Sequence, residues 1–237
     1  MINTIYNADT NILAQQTADA FARDVHKVLA IKDEVVVAIP GGGSITDFFS
    51  ALQKNTGIDW KKIHFFMLDE RLVDLESKDS NFHNAYQNLF INLVDSKKIS
   101  WSNLHPFVYK PQDKDSGAFF YNEELKQFGS KYDIVIAGVG ADGHIGAIFP
   151  NHPAFDNNES NFITLNDSPK PPQDRMTSSV DLIKSARFAF AFFINEGKRQ
   201  AYDNFLSDLV EKRACPAKIL TAIEELHIVT DMKIKNQ

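Results

Sequence analysis

The stretch Glu34-Val-Val-Val-Ala-Ile-Pro-Gly-Gly-Gly-Ser44 decides how the fold is read. Glu34–Ile39 carries an unbroken apolar run, the pattern of a strand buried on both faces of a parallel sheet. A proline and three glycines stop it, and Ser44 stands where an N-cap would open a helix to about Lys54. The same arrangement returns at Tyr132–Ala137, a second buried run followed by Gly138, Gly140 and Gly143.

Working outward, Ile2–Tyr6 reads as a short first strand. Asp9–Leu29 reads as a helix with apolar positions at Ile12, Leu13, Phe21, Val25, Val28 and Leu29. Lys62–Leu68 is the next strand, leading through a polar loop into a helix from about Asp79 to Leu93. Phe188–Ile194 and His227–Thr230 complete the strands, with a helix near Glu196–Val210 between them. Buried strands alternating with helices imply right-handed crossovers and a largely parallel α/β sheet with helices on both faces. The proline-rich Ser168–Gln173 is too short for an interdomain linker, so residues 1–237 read as one domain.

Composition narrows the function. With 43% hydrophobic and 24% charged residues the chain can build a full core. The net charge of −6, with no block of Lys and Arg, argues against nucleic acid or an anionic membrane as partner. It also means that an anionic ligand must be held by a few local cations and backbone N–H groups. The single cysteine, Cys215, excludes an intrachain disulfide and reads as a buried spectator. No cysteine set or H-x-x-x-H spacing suggests a metal site. No apolar run approaches the roughly 20 residues needed to span a bilayer, and the first residues lack a basic leader. The expected compartment is the cytoplasm.

Parallel α/β sheets hold ligands at the carboxyl ends of their strands, and three informative segments fall there. In Pro40-Gly-Gly-Gly-Ser44, backbone N–H groups and a helix start can turn toward an anion. No Lys follows as in a Walker loop, and by itself the turn is equally a tight βα connection. Leu68-Asp-Glu-Arg71, followed by Asp79-Ser-Asn81, offers an arginine for a phosphate or oxyanion, with Asp69 to orient it or a nearby base. Away from a ligand edge it would be a surface ion pair. Gly138-Val-Gly-Ala-Asp-Gly-His144 places an imidazole, whose usual pKa is about 6.5, in a glycine-rich loop two residues after Asp142. Such a histidine suits proton abstraction from water, with Asp142 fixing its tautomer. Arg175, after Pro171-Pro172, and Lys198, in Glu196-Gly-Lys198, could add the missing cations.

In this order the segments resemble the 6-phosphogluconolactonase family. Its pattern runs Ser-Gly-Gly-Ser-Thr-Pro, then Asp-Glu-Arg with Asp-Ser-Asn, then Gly-x-Gly-x-Asp-Gly-His-Thr-Ala-Ser-Leu-Phe-Pro, and later Pro-Pro-x-x-Arg-x-Thr, Gly-Glu-Gly-Lys and Pro-Ala. The chain matches at Gly42-Gly-Ser44, Asp69-Glu-Arg71, Asp79-Ser-Asn81 and Asp142-Gly-His144 with Phe149-Pro150. It matches again at Pro171-Pro172 with Arg175 and Thr177, at Glu196-Gly-Lys198 and at Pro216-Ala217. It departs at Ile45-Thr46 for Thr-Pro, at Asp74 and Ser77 for a Pro and a His, and at Ile145-Gly-Ala-Ile148 for Thr-Ala-Ser-Leu.

The resemblance implies a Rossmann-like (NagB-type) three-layer sandwich and hydrolysis of 6-phospho-D-glucono-1,5-lactone in the oxidative pentose phosphate pathway. It implies His144 as base, aided by Asp142 and Arg71, and Gly42, Gly43, Ser44, Asp69, Arg175 and Lys198 as substrate or phosphate contacts. No cofactor or metal is implied. The partner is a small sugar phosphate, and the chain is expected as a monomer or weak homodimer. Two alternatives stand beside this. A glucosamine-6-phosphate deaminase-type isomerase would carry Asp-Glu-Tyr and a Gly-His-x-Ala-Phe-Asn-Glu loop, and neither is present. A non-catalytic sugar-phosphate sensor would need an attached DNA-binding domain.

Overall fold

The computed structural model describes residues 1–41, 43, 45–157 and 159–233. Its strands and helices, in chain order, are β1 (Ile2–Tyr6), α1 (Thr10–Leu29), β2 (Val35–Ile39), α2 (Thr46–Lys54), β3 (Ile63–Met67) and β4 (Asp69–Arg71). Then α3 (Asn81–Ala85), a π-helical turn (Tyr86–Phe90) and α4 (Ile91–Asp95) run on as one helix, followed by β5 (Leu104–His105), α5 (Ala118–Lys126) and β6 (Ile134–Gly138). The chain continues through β7 (Phe162–Leu165), β8 (Arg175–Ser178), α6 (Val180–Lys184), β9 (Phe188–Phe193), α7 (Arg199–Leu206) and β10 (Glu225–Thr230).

Seven strands form a parallel sheet in the order β1-β10-β9-β6-β2-β3-β5. The chain builds outward from β2 through β3 to β5, returns to β6, then builds the other way. β2 and β6 are therefore the switch point, where loops leaving neighbouring strands part and open a crevice. Every residue of β2, β3 and β9 is buried, as their apolar runs require.

Register puts Phe65, Ile134 and Phe188 on one face with Phe190 and Phe192. Phe21 of α1, Phe48 of α2 and Phe90 of the π turn pack there. Phe66 and Phe193 point to the opposite face, against Tyr121 of α5 and Tyr202 and Phe205 of α7. Helices thus cover both faces, and the three-layer expectation holds.

Several expectations are corrected. A second, antiparallel sheet, β4-β8-β7, rises at the carboxyl edge. Its strands are three or four residues long, too short to show alternation. Helix α2 starts at Thr46, so its cap position is Ile45, which makes no side-chain cap bond. Gly42 and Ser44 themselves lie outside the described residues. The helix expected from Asp79 starts at Asn81, because Ser80 is its cap and accepts from His83 N. The helix expected over Glu196–Val210 is a 3-10 turn (Glu196–Lys198) and α7, ending at Leu206. Ile12 is 48% exposed rather than buried. The helix expected from Asp9 starts at Thr10, with Asp9 as its cap, accepting from Asn11 N and Ile12 N.

The buried face of β3 also carries a polar chain invisible in the sequence. His64 Nδ1 meets His105 Nε2 at 3.0 Å, and His105 Nδ1 meets Glu124 at 2.6 Å. Glu34 lies 3.5 Å from His64 Nε2. Burial first, and then His105, lower the pKa of His64 against the pull of Glu34. A histidine with a lowered folded pKa is protonated more readily in the unfolded chain. Its contribution to stability is therefore present above the unfolded value, near 6.5, and lost as pH falls.

Thermal melts should show a larger drop in Tm from pH 7 to pH 5 for the wild type than for His64→Gln; parallel drops would refute the linkage. Phe48→Ala, which removes the ring 5.0 Å from Phe192, should lower the unfolding free energy by about 3–5 kcal/mol in urea titrations.

Candidate active site

A cavity of about 510 Å³ opens over the β2/β6 switch point. Pro40, Gly41 and Gly43 form one wall, and Gly138 to Ala141 with His144 form the facing one. Asp69 and Arg71 reach it from β4, and Asn81, Asn84 and Asn88 from the helix that follows. Lys170 and Lys198 also line it, with Ile45 and Gly146. The three segments singled out in the sequence therefore meet at one rim.

The imidazole of His144 is fixed by its own loop. Asp142 Oδ1 makes a short hydrogen bond to His144 Nδ1, and Lys170 Nζ lies 3.2 Å from Asp142 Oδ2. Burial opposes the charge on Asp142, but the bond to His144 and the Lys170 ammonium outweigh it and hold the carboxyl far below the usual range. An ionised Asp142 needs the ring proton on Nδ1, which leaves Nε2 as the nitrogen free to exchange a proton with a ligand or water. The ring packs on Phe149 with centroids 4.7 Å apart.

Gly140 is what allows the dyad to fold under its own strand. A Cβ there would stand 2.0 Å from His144 Nδ1 and 2.5 Å from Asp142 Oδ1. The loop closes through Gly140 N to His144 O and is tied down by Ala217 N to Gly143 O and by Ala147 N to Thr177 Oγ1 of β8.

The cationic wall has a similar frame. Glu70, buried behind it, accepts from Arg71 N, Asn81 N, Phe82 N and Ser80 Oγ. Burial pushes its pKa up to about 7 against those three N–H groups, with Asp69 adding to the rise. The clamp holds β4 against the start of α3. Asn81 Nδ2 then donates to Asp69 O, and Arg71 Nη1 donates to Asp79 O at 2.7 Å. Asn81 also covers the glycine turn: a Cβ on Gly41 would lie 2.2 Å from its Oδ1. Arg71 Nε has no partner among the described residues.

Of the residues read from the sequence, His144, Arg71, Gly43, Asp69 and Lys198 line the cavity. Asp142 stands directly behind His144. Gly42 and Ser44 cannot be placed. Arg175 differs from expectation: it is 4% exposed and is absent from the lining. Its Nε and Nη2 donate to the carbonyls of Pro172, Pro171 and Lys170, because an arginine on buried β8 finds those carbonyls before it reaches the cavity. Burial and the neighbouring Arg71 lower its pKa.

The sequence reading missed Asn84 and Asn88, on the helix after β4, and also Lys170. Lys170 precedes Pro171-Pro172 in a segment that read only as stiff, and the stiffness was the available signal. Lys198 is half buried, and burial followed by the charge of Lys170 lowers its pKa against Asp142. A cluster of Asp24, Glu225 and His227 offers the only metal-like grouping of His, Cys, Asp and Glu among the described residues. It lies on α1 and β10, away from the cavity, and Lys27 already bridges its two carboxylates.

Comparison with known proteins bears on this architecture. The family described as glucosamine-6-phosphate isomerases/6-phosphogluconolactonase matches residues 8–228. A 6-phosphogluconolactonase of Borreliella burgdorferi is 30% identical over 229 residues, covering 97% of this chain and 95% of that one. One from Thermotoga maritima has a solved structure that superposes with a TM-score of 0.84 at 22% identity, covering 98% of this chain and all of that one. A monomeric glucosamine-6-phosphate deaminase superposes with a TM-score of 0.80 at 18% identity over 97% of each chain, so both activities share the fold. The chain belongs to the glucosamine-6-phosphate isomerase/6-phosphogluconolactonase family.

Proposed function

We propose that the chain hydrolyses 6-phospho-D-glucono-1,5-lactone to 6-phospho-D-gluconate, with His144 as general base. One observation carries this reading: an imidazole held at Nδ1 by the Asp142 carboxylate stands in the wall of a cavity that also holds three cationic side chains. The similarity to curated lactonases supports the substrate.

In this reading His144 Nε2 takes a proton from water as the water oxygen bonds to the lactone carbonyl carbon. The carbonyl electron pair moves to oxygen, giving a tetrahedral oxyanion. Its collapse breaks the bond to the ring oxygen, which takes the proton back from His144. Asp142 stabilises the imidazolium while it lasts. Arg71 and Lys198, with the glycine turn beneath α2, receive the phosphate, and Asn81 and Asn84 face the sugar hydroxyls. Arg175, expected as a phosphate contact, instead braces residues 170–172. The sugar-phosphate partner follows from this substrate.

The deaminase reading shares the fold but lacks support in the loop. His144 is followed by Ile-Gly-Ala-Ile-Phe-Pro150, and no Asn-Glu stands after it.

A coupled assay that generates the lactone fresh and follows its loss above the spontaneous background tests the activity, with ammonia release from glucosamine 6-phosphate as the negative control. His144→Gln should lower kcat by roughly 10²–10⁴-fold with an unchanged circular-dichroism spectrum; a wild-type rate would end the assignment. Arg175→Ala should lower kcat more than it raises KM, because the loop bearing Lys170 loses its brace, and the opposite split in steady-state kinetics would count against that role.

A further inference from the structure

Lys170 has no role in the scheme above, yet it is the cation nearest the base. Its Nζ lies 3.2 Å from Asp142 Oδ2 and 3.3 Å from His144 Nδ1. Its backbone is anchored by hydrogen bonds, while its side chain is held only at the ammonium. The Lys170 carbonyl accepts from Ser168 Oγ and Arg175 Nη2, and its N–H donates to Ser168 Oγ. The side chain is 44% exposed and lines the cavity. It passes Phe149, the ring that also supports His144.

Charge accounting points to what the ammonium does. Asp142 serves two partners, the Nδ1–H of His144 and Lys170. When His144 takes the proton from water, the ring becomes an imidazolium and its demand on Asp142 rises. At the same moment an oxyanion appears on the carbonyl that the water has attacked. One positive charge has been created next to Lys170, and one negative charge within reach of its flexible side chain. Holding Lys170 on Asp142 would leave two cations competing for one carboxylate. Moving it to the new oxyanion relieves that competition and neutralises the oxyanion.

We propose that Lys170 is a further catalytic residue, an ammonium that polarises the lactone carbonyl and passes from Asp142 to the oxyanion as His144 is protonated. No bond to Lys170 is made or broken, and it keeps all three of its protons. The other charged groups facing the site are Arg71, Asp69 and Lys198. Arg71 is already turned toward Asp79 O, and Lys198 leaves the chain after β9 with no hydrogen bond to the dyad, so neither sits as close to the base. The inference rests on His144 being the base of the proposed hydrolysis.

The test is Lys170→Met measured on two substrates, 6-phospho-D-glucono-1,5-lactone and D-glucono-1,5-lactone, which lacks the phosphate. Loss of a donor that acts only on the developing oxyanion should lower kcat by roughly 10²–10³-fold with little change in KM. The factor in kcat/KM should be the same for both lactones, and Lys170→Arg should recover part of kcat. A rise in KM confined to the phosphorylated lactone would overturn the proposal and make Lys170 a phosphate contact. An unchanged kcat would also overturn it. His144→Gln separates the two levels. If it abolishes turnover while Lys170→Met does not, only the inference fails; if it leaves turnover intact, the underlying assignment of the base fails first.

Discussion

Strands β2 and β6 share a short ladder, Val37 with Ile134 and Ala38 with Val135, and the site exists because that pairing is parallel. The ladder is reinforced at its start by Asp133. Its carboxylate accepts from Val36 N at 2.7 Å and pairs with Lys32, while its own N–H donates to Val36 O. Two strands aimed the same way must release their loops at the same edge. Because the chain builds away from this pair in opposite directions, no crossover covers the gap between those loops. The glycine turn after β2 and the His144 loop after β6 are neighbours for this reason alone.

What fills the gap is an electrostatic arrangement that the whole-chain charge of −6 conceals. Arg71, Lys170 and Lys198 face the cavity with Asp69, while Asp142 stands behind the imidazole. The acidic surplus lies elsewhere on the surface, where water screens it. Local geometry therefore determines whether an anion binds, and net charge has little say. Arg175 shows the complementary case. Its charge is spent on three carbonyls, so it contributes shape to a loop rather than charge to the ligand.

The sequence revealed most where burial alone determined structure. Residues 34–39 and 132–137 could be read because strands covered on both faces are filled mainly by apolar side chains. His144 could be read because an imidazole in a glycine-rich loop at a strand end is rarely a core filler. The β4-β8-β7 sheet stayed hidden for the opposite reason. Asp69, Glu70, Thr177 and Ser178 are all buried, and several of their polar atoms meet partners far away in sequence. Thr177 Oγ1 serves Ala147 N, and Ser178 Oγ reaches Leu68 O. Nothing local announces such partners. The same holds for the His64–His105 pair, whose residues are 41 positions apart. Arg175 was given a ligand role because its type and neighbours fitted one, but type does not fix which acceptor a guanidinium meets first. Lys170 was overlooked because a lysine in a polar loop is ordinarily solvated.

The Glu70 clamp has a bearing on how this site could change over time. Four donors converge on one carboxylate, and through them the arginine, the start of α3 and the cover over the glycine turn are welded into a single part. Altering any member disturbs the rest, so that part of the wall is held to one solution. Asn84 and Asn88 line the same cavity one and two helical turns further on, outside the weld, with side-chain amides that donate to helix carbonyls. Drift toward a differently decorated sugar has its open path there, along the helix, where an exchange of side chains leaves the chemistry at the opposite wall untouched.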